Sequence, residues 1–244
     1  MRTGEYQFSP TLLPSLAMIV LLVLFLSLGF WQLSRAEQKR ELIGTFEDRL
    51  SGPALTASAI SATAPADELR YRHVRLRGRY LADRQFLLDN RVYDRKPGFE
   101  VLTPFQLADG RVVLVNRGWV PLGASRSDLP SLQMQSEPVS VEGWLYIPFE
   151  PAYSLGGIDD AGTGWPRIVQ YLDFEQLGQR LDASLLPMTV RLSGEAAEGY
   201  VRDWQVVPMT PAKHIAYAVQ WFGLAIAVLV IYLVLNIKRR SEHE

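Results

Sequence analysis

Two long segments without charged side chains lie near opposite ends of this chain of 244 residues. The first covers residues 12–33 and the second covers residues 215–237. Each is long enough to cross a bilayer, because a hydrocarbon core needs about 20 consecutive apolar residues. The long stretch between them mixes polar and apolar residues. The pattern therefore predicts a membrane protein whose two helices hold one domain outside the bilayer.

The first apolar segment is typical of an anchor that stays attached. A cleaved signal peptide has a shorter apolar region followed by small residues, whereas this segment leads directly into Trp31, Gln32 and Arg35. We expect the following order: a tail over residues 1–11, a transmembrane helix over 12–34, a domain over 35–212, a second transmembrane helix over 213–237 and a tail over 238–244.

Basic residues near the two segments give conflicting orientations. Lys238, Arg239 and Arg240 favour a cytoplasmic C-terminus, whereas Arg35 and Lys39 after the first segment favour a cytoplasmic domain. Long loops are translocated largely regardless of their charge, so the short C-terminal tail carries more weight. We therefore expect both termini in the cytoplasm and the domain on the other side.

Composition excludes several kinds of site. Cysteine is absent, which rules out disulfides, thiolate metal sites and cysteine nucleophiles. Lys and Arg number 25 against 26 Asp and Glu. Nucleic-acid binding would need a clustered basic excess, so none is expected.

The region after residue 71 has the two-residue period of strands. Val74, Leu76 and Tyr80 share one face, while His73 and three arginines occupy the other. The turn sequence 108–110 between apolar runs predicts a hairpin over 99–107 and 111–120. Further strands are expected over 85–90, 139–147, 168–171, 188–192 and 204–207. A helix is expected over 35–50 as a continuation of the first span, and another over 174–181, capped by Asp173. The fold class is thus α+β, with two transmembrane helices flanking one mainly antiparallel β domain, for which a barrel is one option.

No catalytic motif is evident in the sequence. It lacks the patterns of zinc proteases, serine hydrolases and phosphate-binding loops. Asp159 and Asp160 stand in a glycine-rich stretch that is typical of a solvated loop. His73 belongs to a polar strand face, and His243 to a charged tail. We therefore expect a protein that is not an enzyme.

His214 stands out because it lies at the mouth of the second span. Helical spacing puts Tyr217, Ala218 and Trp221 on its face. A neutral imidazole in such a place can ligate a heme iron while aromatic and small side chains pack against the macrocycle. The same residues also suit an interfacial anchor with ordinary belt aromatics. Spacing alone leaves both interpretations open.

Trp31 and Arg35 form the corresponding feature of the first span, one helical turn apart. A guanidinium can hold a carboxylate such as a porphyrin propionate through two parallel hydrogen bonds. Arg35 could equally bind an acidic group of the domain or a lipid phosphate.

Several stretches, in order along nearly the whole chain, resemble the surfeit locus protein 1 family of cytochrome c oxidase assembly factors. The matching stretches are Gly29-Phe30-Trp31-Gln32 with Arg35 and Lys39, Tyr71-Arg72 and Val74 with Arg77-Gly78, Pro97-Gly98-Phe99, residues 101–105, residues 115–121, and His214 with Tyr217-Ala218 and Gln220-Trp221-Phe222. The segment Asp159 to Arg167 keeps Trp165 and Arg167 but matches the family poorly.

The resemblance implies a role in maturing heme-copper oxidases without catalysis. Bacterial members are thought to bind heme a and help deliver it to the catalytic subunit. A histidine of the second span is the proposed iron ligand, and His214 matches it. The resemblance further implies a multi-pass protein of the bacterial inner membrane with its domain in the periplasm. Its expected partners are the bilayer lipids and the oxidase catalytic subunit, with heme a synthase as a further candidate.

The leading hypothesis is therefore a heme a chaperone. Its site would comprise His214 as iron ligand, with Tyr217, Trp221, Trp31 and Arg35 around the cofactor. The alternative is an assembly scaffold that binds oxidase subunits without heme, through edge strands and exposed aromatics. Those aromatics would be Trp144, Tyr146 and Trp165. A membrane enzyme that modifies heme or lipid is a third class, for which the sequence offers no evident constellation of acid-base or nucleophilic groups.

Overall fold

The computed structural model describes residues 6–124, 128–132, 134, 137–148, 164–196 and 199–239. The elements follow in chain order as β1 (Tyr6–Phe8), α1 (Leu12–Ser51), α2 (Ala66–Leu69), β2 (His73–Tyr80), β3 (Phe86–Tyr93), β4 (Lys96–Leu107), β5 (Val112–Pro121), β6 (Pro138–Tyr146), β7 (Arg167–Val169), α3 (Phe174–Leu181), β8 (Leu185–Leu192), α4 (Pro211–Asn236) and β9 (Ile237–Arg239). The chain divides into two compact units. One comprises Met1–Thr45 with Val206–Glu244, and the other comprises Phe46–Gln205.

The helices α1 and α4 are both long and apolar enough to cross a membrane. This confirms the predicted fold class of two apolar helices on either side of a sheet domain. Few residues of their most apolar stretches are buried. Apolar side chains that stay exposed along a helix are expected where lipid is the solvent. The predicted helical continuation beyond the first span is also confirmed, since α1 runs on to Ser51.

Within the first unit, α1 and α4 pack antiparallel. The hydroxyl groups of Ser15 and Tyr232 lie 2.6 Å apart, and Gln32 lies opposite His214 at the other end of the pair. Small side chains permit the close approach that helices need in a membrane. The buried residues are Gly29 and Ala36 of α1, and His214, Ala218, Ala225 and Asn236 of α4. Their spacing is close to that of a coiled-coil seam.

Two short strands extend the first unit. β1 pairs antiparallel with β9, so that Tyr6 stands opposite Arg239. The ring of Phe8 meets that of Tyr232 edge-on, with centroids 6.1 Å apart. The sequence does not predict this pairing, because strands of three residues carry too little periodicity to be recognised.

The second unit is built on one seven-stranded sheet in the order β2-β6-β8-β5-β4-β3-β7. β2 also pairs with β4, which closes β2, β6, β8, β5 and β4 into a ring. Most pairings are antiparallel, and the β3–β7 and β5–β8 pairings are parallel. The predicted mainly antiparallel β domain is thus confirmed, with a barrel-like closure and two parallel contacts.

The predicted strand over residues 204–207 is wrong. That segment has no strand structure, and the nearby Val201 makes an isolated bridge with Trp119. The indole of Trp204 donates instead to the carbonyl of Leu192, at 2.9 Å. Pro208 follows directly and has no amide hydrogen to donate to a neighbouring strand.

Apolar side chains from the closed ring of strands form the main core. Val74, Leu76 and Tyr80 are buried as the alternating pattern of β2 predicts. A second cluster joins Phe86, Leu114, Leu177 and other residues beneath α3. The Asp173 carboxylate accepts a hydrogen bond of 3.0 Å from the Gln176 amide, which confirms the predicted cap of α3.

The three aromatic residues expected on the surface are not fully exposed. Trp144 is only 4 % exposed and packs edge-on against Phe46, with ring centroids 5.0 Å apart. Tyr146 and Trp165 are half-buried, and the Trp165 ring meets that of Phe86. Their apolar rings gain more by joining the core than by standing in water.

Some predictions fall outside the described residues. These are the loop character of Asp159 and Asp160 and the inert tail position of His243. Of residues 159–167, the structure describes those from Gly164 onward. The guanidinium carbon of Arg167 lies 5.3 Å from the centroid of the Trp165 ring.

Candidate functional site

His214 lies in the first turn of α4, which begins at Pro211 after Thr210. Proline suits this position because the first amides of a helix have no partner within it. The imidazole is 8 % exposed. Its Nδ1 lies 2.8 Å from the Oε1 of Gln32 on α1. The two helices therefore meet through a polar contact at this histidine, as they do at Ser15 and Tyr232 at the other end of the pair.

The contact with Gln32 fixes the chemistry of the other ring nitrogen. A carbonyl oxygen only accepts hydrogen bonds, so with the amide in this orientation Nδ1 carries the proton and donates it to Gln32. In the neutral imidazole, Nε2 then keeps its lone pair. This atom is buried and has no hydrogen-bond partner among the described residues. An unpaired buried acceptor is costly, and residues of this kind mark functional positions in membrane helices.

The arrangement matches that of a histidine metal ligand. Such ligands usually donate their second nitrogen to an oxygen acceptor, which sets the tautomer and the ring orientation. The residues present therefore fit a heme iron, which Nε2 of His214 would hold as its ligand. Because Nε2 is buried, neighbouring side chains would have to move aside for it to act as a ligand.

Trp31 and Arg35 are brought together as predicted. The guanidinium carbon of Arg35 lies 5.7 Å from the Trp31 ring centroid. Arg35 also donates to the side-chain oxygen of Gln38, at 2.9 Å. Trp31 is 52 % exposed and Arg35 is exposed as well. The pair offers an aromatic face beside a cation that is accessible to an anionic group.

Tyr217 and Trp221 lie in different surroundings. Tyr217 is 44 % exposed on the surface of α4. The Trp221 ring is partly buried and stacks on Phe25 of α1, with centroids 5.8 Å apart and planes 29° apart. One face of Trp221 thus holds the two helices together, which is a role that spacing alone does not reveal.

Helical spacing assigns Trp31, Arg35 and Tyr217 to one flank of the helix pair. Tyr217 follows His214 by three residues, and Arg35 follows Gln32 by three residues. In an antiparallel pair, equal offsets from two facing residues point to the same side. The exposed aromatic rings and the Arg35 cation therefore border the buried imidazole on a common side.

Gln32 is the residue that sequence reasoning misses. It belongs to the Gly-Phe-Trp-Gln stretch, but no pattern in the sequence pairs it with a residue 182 positions away. The available signal is its polarity at the end of a transmembrane segment, where polar side chains usually have a partner in the bundle.

Comparison with known proteins identifies the family of this chain. Residues 19–226 match the model of the SURF1 family. A SURF1-like protein of Rickettsia felis is 26% identical over 231 residues, covering 90% of this chain and 95% of that protein. A SURF1-like protein of Monosiga brevicollis is 27% identical over 238 residues, covering 91% and 87%. Surfeit locus protein 1 of Xenopus tropicalis is 26% identical over 230 residues, covering 84% and 70%. Because the family model spans most of its length, this chain belongs to the SURF1 family.

Proposed function

We propose that this protein is an assembly factor for a heme-copper cytochrome c oxidase. In this role it binds heme a and assists its delivery to the catalytic subunit, without catalysing a reaction itself. The observation that carries the proposal is the buried Nε2 of His214, which has no partner in the described structure while Gln32 holds the opposite nitrogen. Membership of the SURF1 family supports the same role.

Each residue of the site has a distinct task in this proposal. His214 supplies the iron ligand, and Arg35 pairs with a propionate of the cargo by charge-assisted hydrogen bonds. Trp31 and Tyr217 offer exposed rings to the macrocycle. Trp221 supports the site by fixing the spacing between α1 and α4 through its stack on Phe25.

A single protein ligand suits a carrier that must release its cargo. Each tenfold of affinity corresponds to about 1.4 kcal/mol, so a second strong ligand would lengthen the residence of the cargo by orders of magnitude. The acceptor subunit can then compete for the iron with ligands of its own.

The proposed location is the inner membrane of a bacterium. α1 and α4 cross the bilayer, both termini lie in the cytoplasm, and the sheet domain lies in the periplasm. The two long apolar helices support the membrane placement. The basic residues after α4 support the orientation. The proposed partners are the oxidase catalytic subunit and, upstream of it, heme a synthase.

The scaffold alternative loses part of its support. It relies on exposed aromatics of the sheet domain, yet Trp144 is 4 % exposed and lies within the core. The heme role relies on His214, and the contact of its Nδ1 with Gln32 supports that role.

Cells that lack this protein can distinguish the proposed heme role from the scaffold alternative. The measurement is the amount of heme a per oxidase catalytic subunit after purification of that subunit. We expect the subunit to be made but to contain less heme a, and the wild-type protein to restore the content. His214→Ala should fail to restore it, whereas His73→Ala should succeed. Full heme a content in fewer assembled complexes would instead identify a scaffold.

A further inference from the structure

The sheet domain contains a cavity of about 450 Å³ that plays no part in the proposed heme site. Its lining includes the side chains of Arg91 and Arg191 together with Glu100, Asn116 and Thr189. All of these belong to strands of the second unit. The cavity thus combines cations, hydrogen-bonding groups and, from Leu88 and Leu172, apolar surface.

Arg191 is held in this cavity by aromatic rings rather than by acids. Its guanidinium carbon lies 4.0 Å from the ring centroid of Tyr146, 5.1 Å from that of Trp144 and 5.0 Å from that of Trp204. Burial lowers the pKa of the guanidinium, and the nearby Glu100 charge opposes that effect. Its Nε is buried and makes no hydrogen bond within the described residues.

Arg91 reaches the same cavity because β3 is irregular. The register between β3 and β4 shifts between Leu88 and Arg91, and Asn90 has a positive φ of 58°. Such irregularities in a ladder turn a side chain toward a new direction. The Nε of Arg91 is likewise buried without a hydrogen-bond partner in the part of the chain that the structure describes.

The charges that face the cavity do not balance. Glu100 is the one carboxylate among the described lining residues, against two guanidinium groups. One of its oxygens accepts a hydrogen bond of 2.6 Å from Asn116. No described carboxylate lies within 4.0 Å of the side-chain nitrogens of Arg91 or Arg191 to form an ion pair. Buried charges are stable only when they are paired and hydrogen-bonded, so the cavity favours an anion.

We propose that this cavity binds an oxyanionic group, a carboxylate or a phosphate, carried by a small molecule with an apolar portion. The two guanidinium groups hold the oxygens by charge-assisted hydrogen bonds. Leu88 and Leu172 contact the apolar portion. The amide of Asn116 and the hydroxyl of Thr189 add polar contacts near the anion.

Titration calorimetry on the full chain in detergent tests the proposal. The probes are sodium hexanoate, hexyl phosphate and inorganic phosphate, with hexan-1-ol as a probe of the same chain length without charge. We expect at least one anion to bind and hexan-1-ol not to bind. Hexanoate binding identifies a carboxylate ligand and hexyl phosphate binding identifies a phosphate ester, whereas binding of inorganic phosphate alone would contradict the apolar portion of the proposed ligand.

Matched variants connect the binding to the two arginines. Arg191→Gln and Arg91→Gln should each weaken anion binding at least tenfold, and among the described residues Arg91 stacks on no aromatic ring. Arg79→Gln is the control, because that exposed guanidinium binds Gln106 on another face of the domain. Binding of no anion, equal binding of hexan-1-ol, or undiminished binding to both variants would overturn the proposal. His214→Ala should bind the anion normally, so the failure of one site is distinguishable from the failure of the other.

Discussion

Replacing Gln32 by methionine separates a heme-binding His214 from an ordinary buried histidine. Methionine has a similar length but no carbonyl oxygen, so the Nδ1–H of His214 loses its acceptor. The hydrogen bond is 2.8 Å long, which is a favourable distance. Without it the ring is free to move its proton to Nε2, and the lone pair that would bind iron is then lost. Gln32→Met should therefore weaken heme binding although it touches no atom of the cargo.

The expected size of this effect follows from the hydrogen bond. A buried donor left without its acceptor costs about 1–3 kcal/mol. At about 1.4 kcal/mol per tenfold, this corresponds to a loss in heme affinity of about 5- to 150-fold. Loss of a partner hydrogen bond behind a metal ligand typically costs about 10–100-fold, which agrees. His214→Ala should cost more, because it removes the ligand itself.

Optical titration of heme a into the detergent-purified protein measures the affinity. Thr45→Val is the control, because Thr45 lies on the same helix but its hydroxyl donates to the carbonyl of Glu41 rather than contacting His214 or Arg35. We expect the control to bind as the wild-type protein does. If Gln32→Met bound heme a with unchanged affinity, the tautomer argument would be refuted.

Three further substitutions test the packing and electrostatics of the two units. Gly29→Leu should weaken the pairing of α1 and α4 by about 1–3 kcal/mol, as overpacking does. The reason is that a Cβ at Gly29 would lie 2.4 Å from the Phe222 ring. Thermal unfolding in detergent measures this loss of stability. Gly118→Ala should lower the free energy of unfolding of the sheet domain by more than about 1 kcal/mol. The φ of Gly118 is +113°, and a backbone oxygen lies 2.5 Å from the added Cβ. Denaturant unfolding measures this free energy. The hydrogen bond from Arg75 holds the pKa of the Glu142 carboxyl below its usual range. Arg75→Gln should therefore raise that pKa, which an NMR titration of the carboxyl carbon measures.

Each of these predictions has a matched control. A Cβ at Gly44 of α1 meets no atom within 4 Å, so Gly44→Leu should leave the helix pairing intact. Gly110 also has a positive φ but stands in open space, so Gly110→Ala should cost less than Gly118→Ala. Arg79→Gln should leave the Glu142 titration unchanged. Equal effects of any variant and its control would contradict the corresponding contact.

Local patterns in the sequence predict most elements of this fold. The apolar length of α1 and α4 is visible directly, and the alternation of β2 places Val74 and Leu76 in the core. The turn at residues 108–110 and the cap at Asp173 are equally local, because the residues that decide them are close neighbours.

Features that depend on distant residues are not predictable in this way. The bond between Gln32 and His214 joins two segments that periodicity treats separately. The cavity cation Arg191 looks like an ordinary strand residue until Tyr146 and Trp204 close around it. The false strand over 204–207 has the same origin, because the Trp204 indole binds a backbone carbonyl of β8.

The most direct test of the heme assignment is the heme a content of the protein purified in detergent from cells that make heme a. Three samples are compared: the wild-type protein, His214→Ala and His73→Ala, whose histidine binds Glu142 in the sheet domain. The proposed function predicts heme a in the wild-type and His73→Ala proteins and its loss from His214→Ala. Equal heme a content in all three, or none in any, would contradict His214 as the iron ligand of a heme carrier.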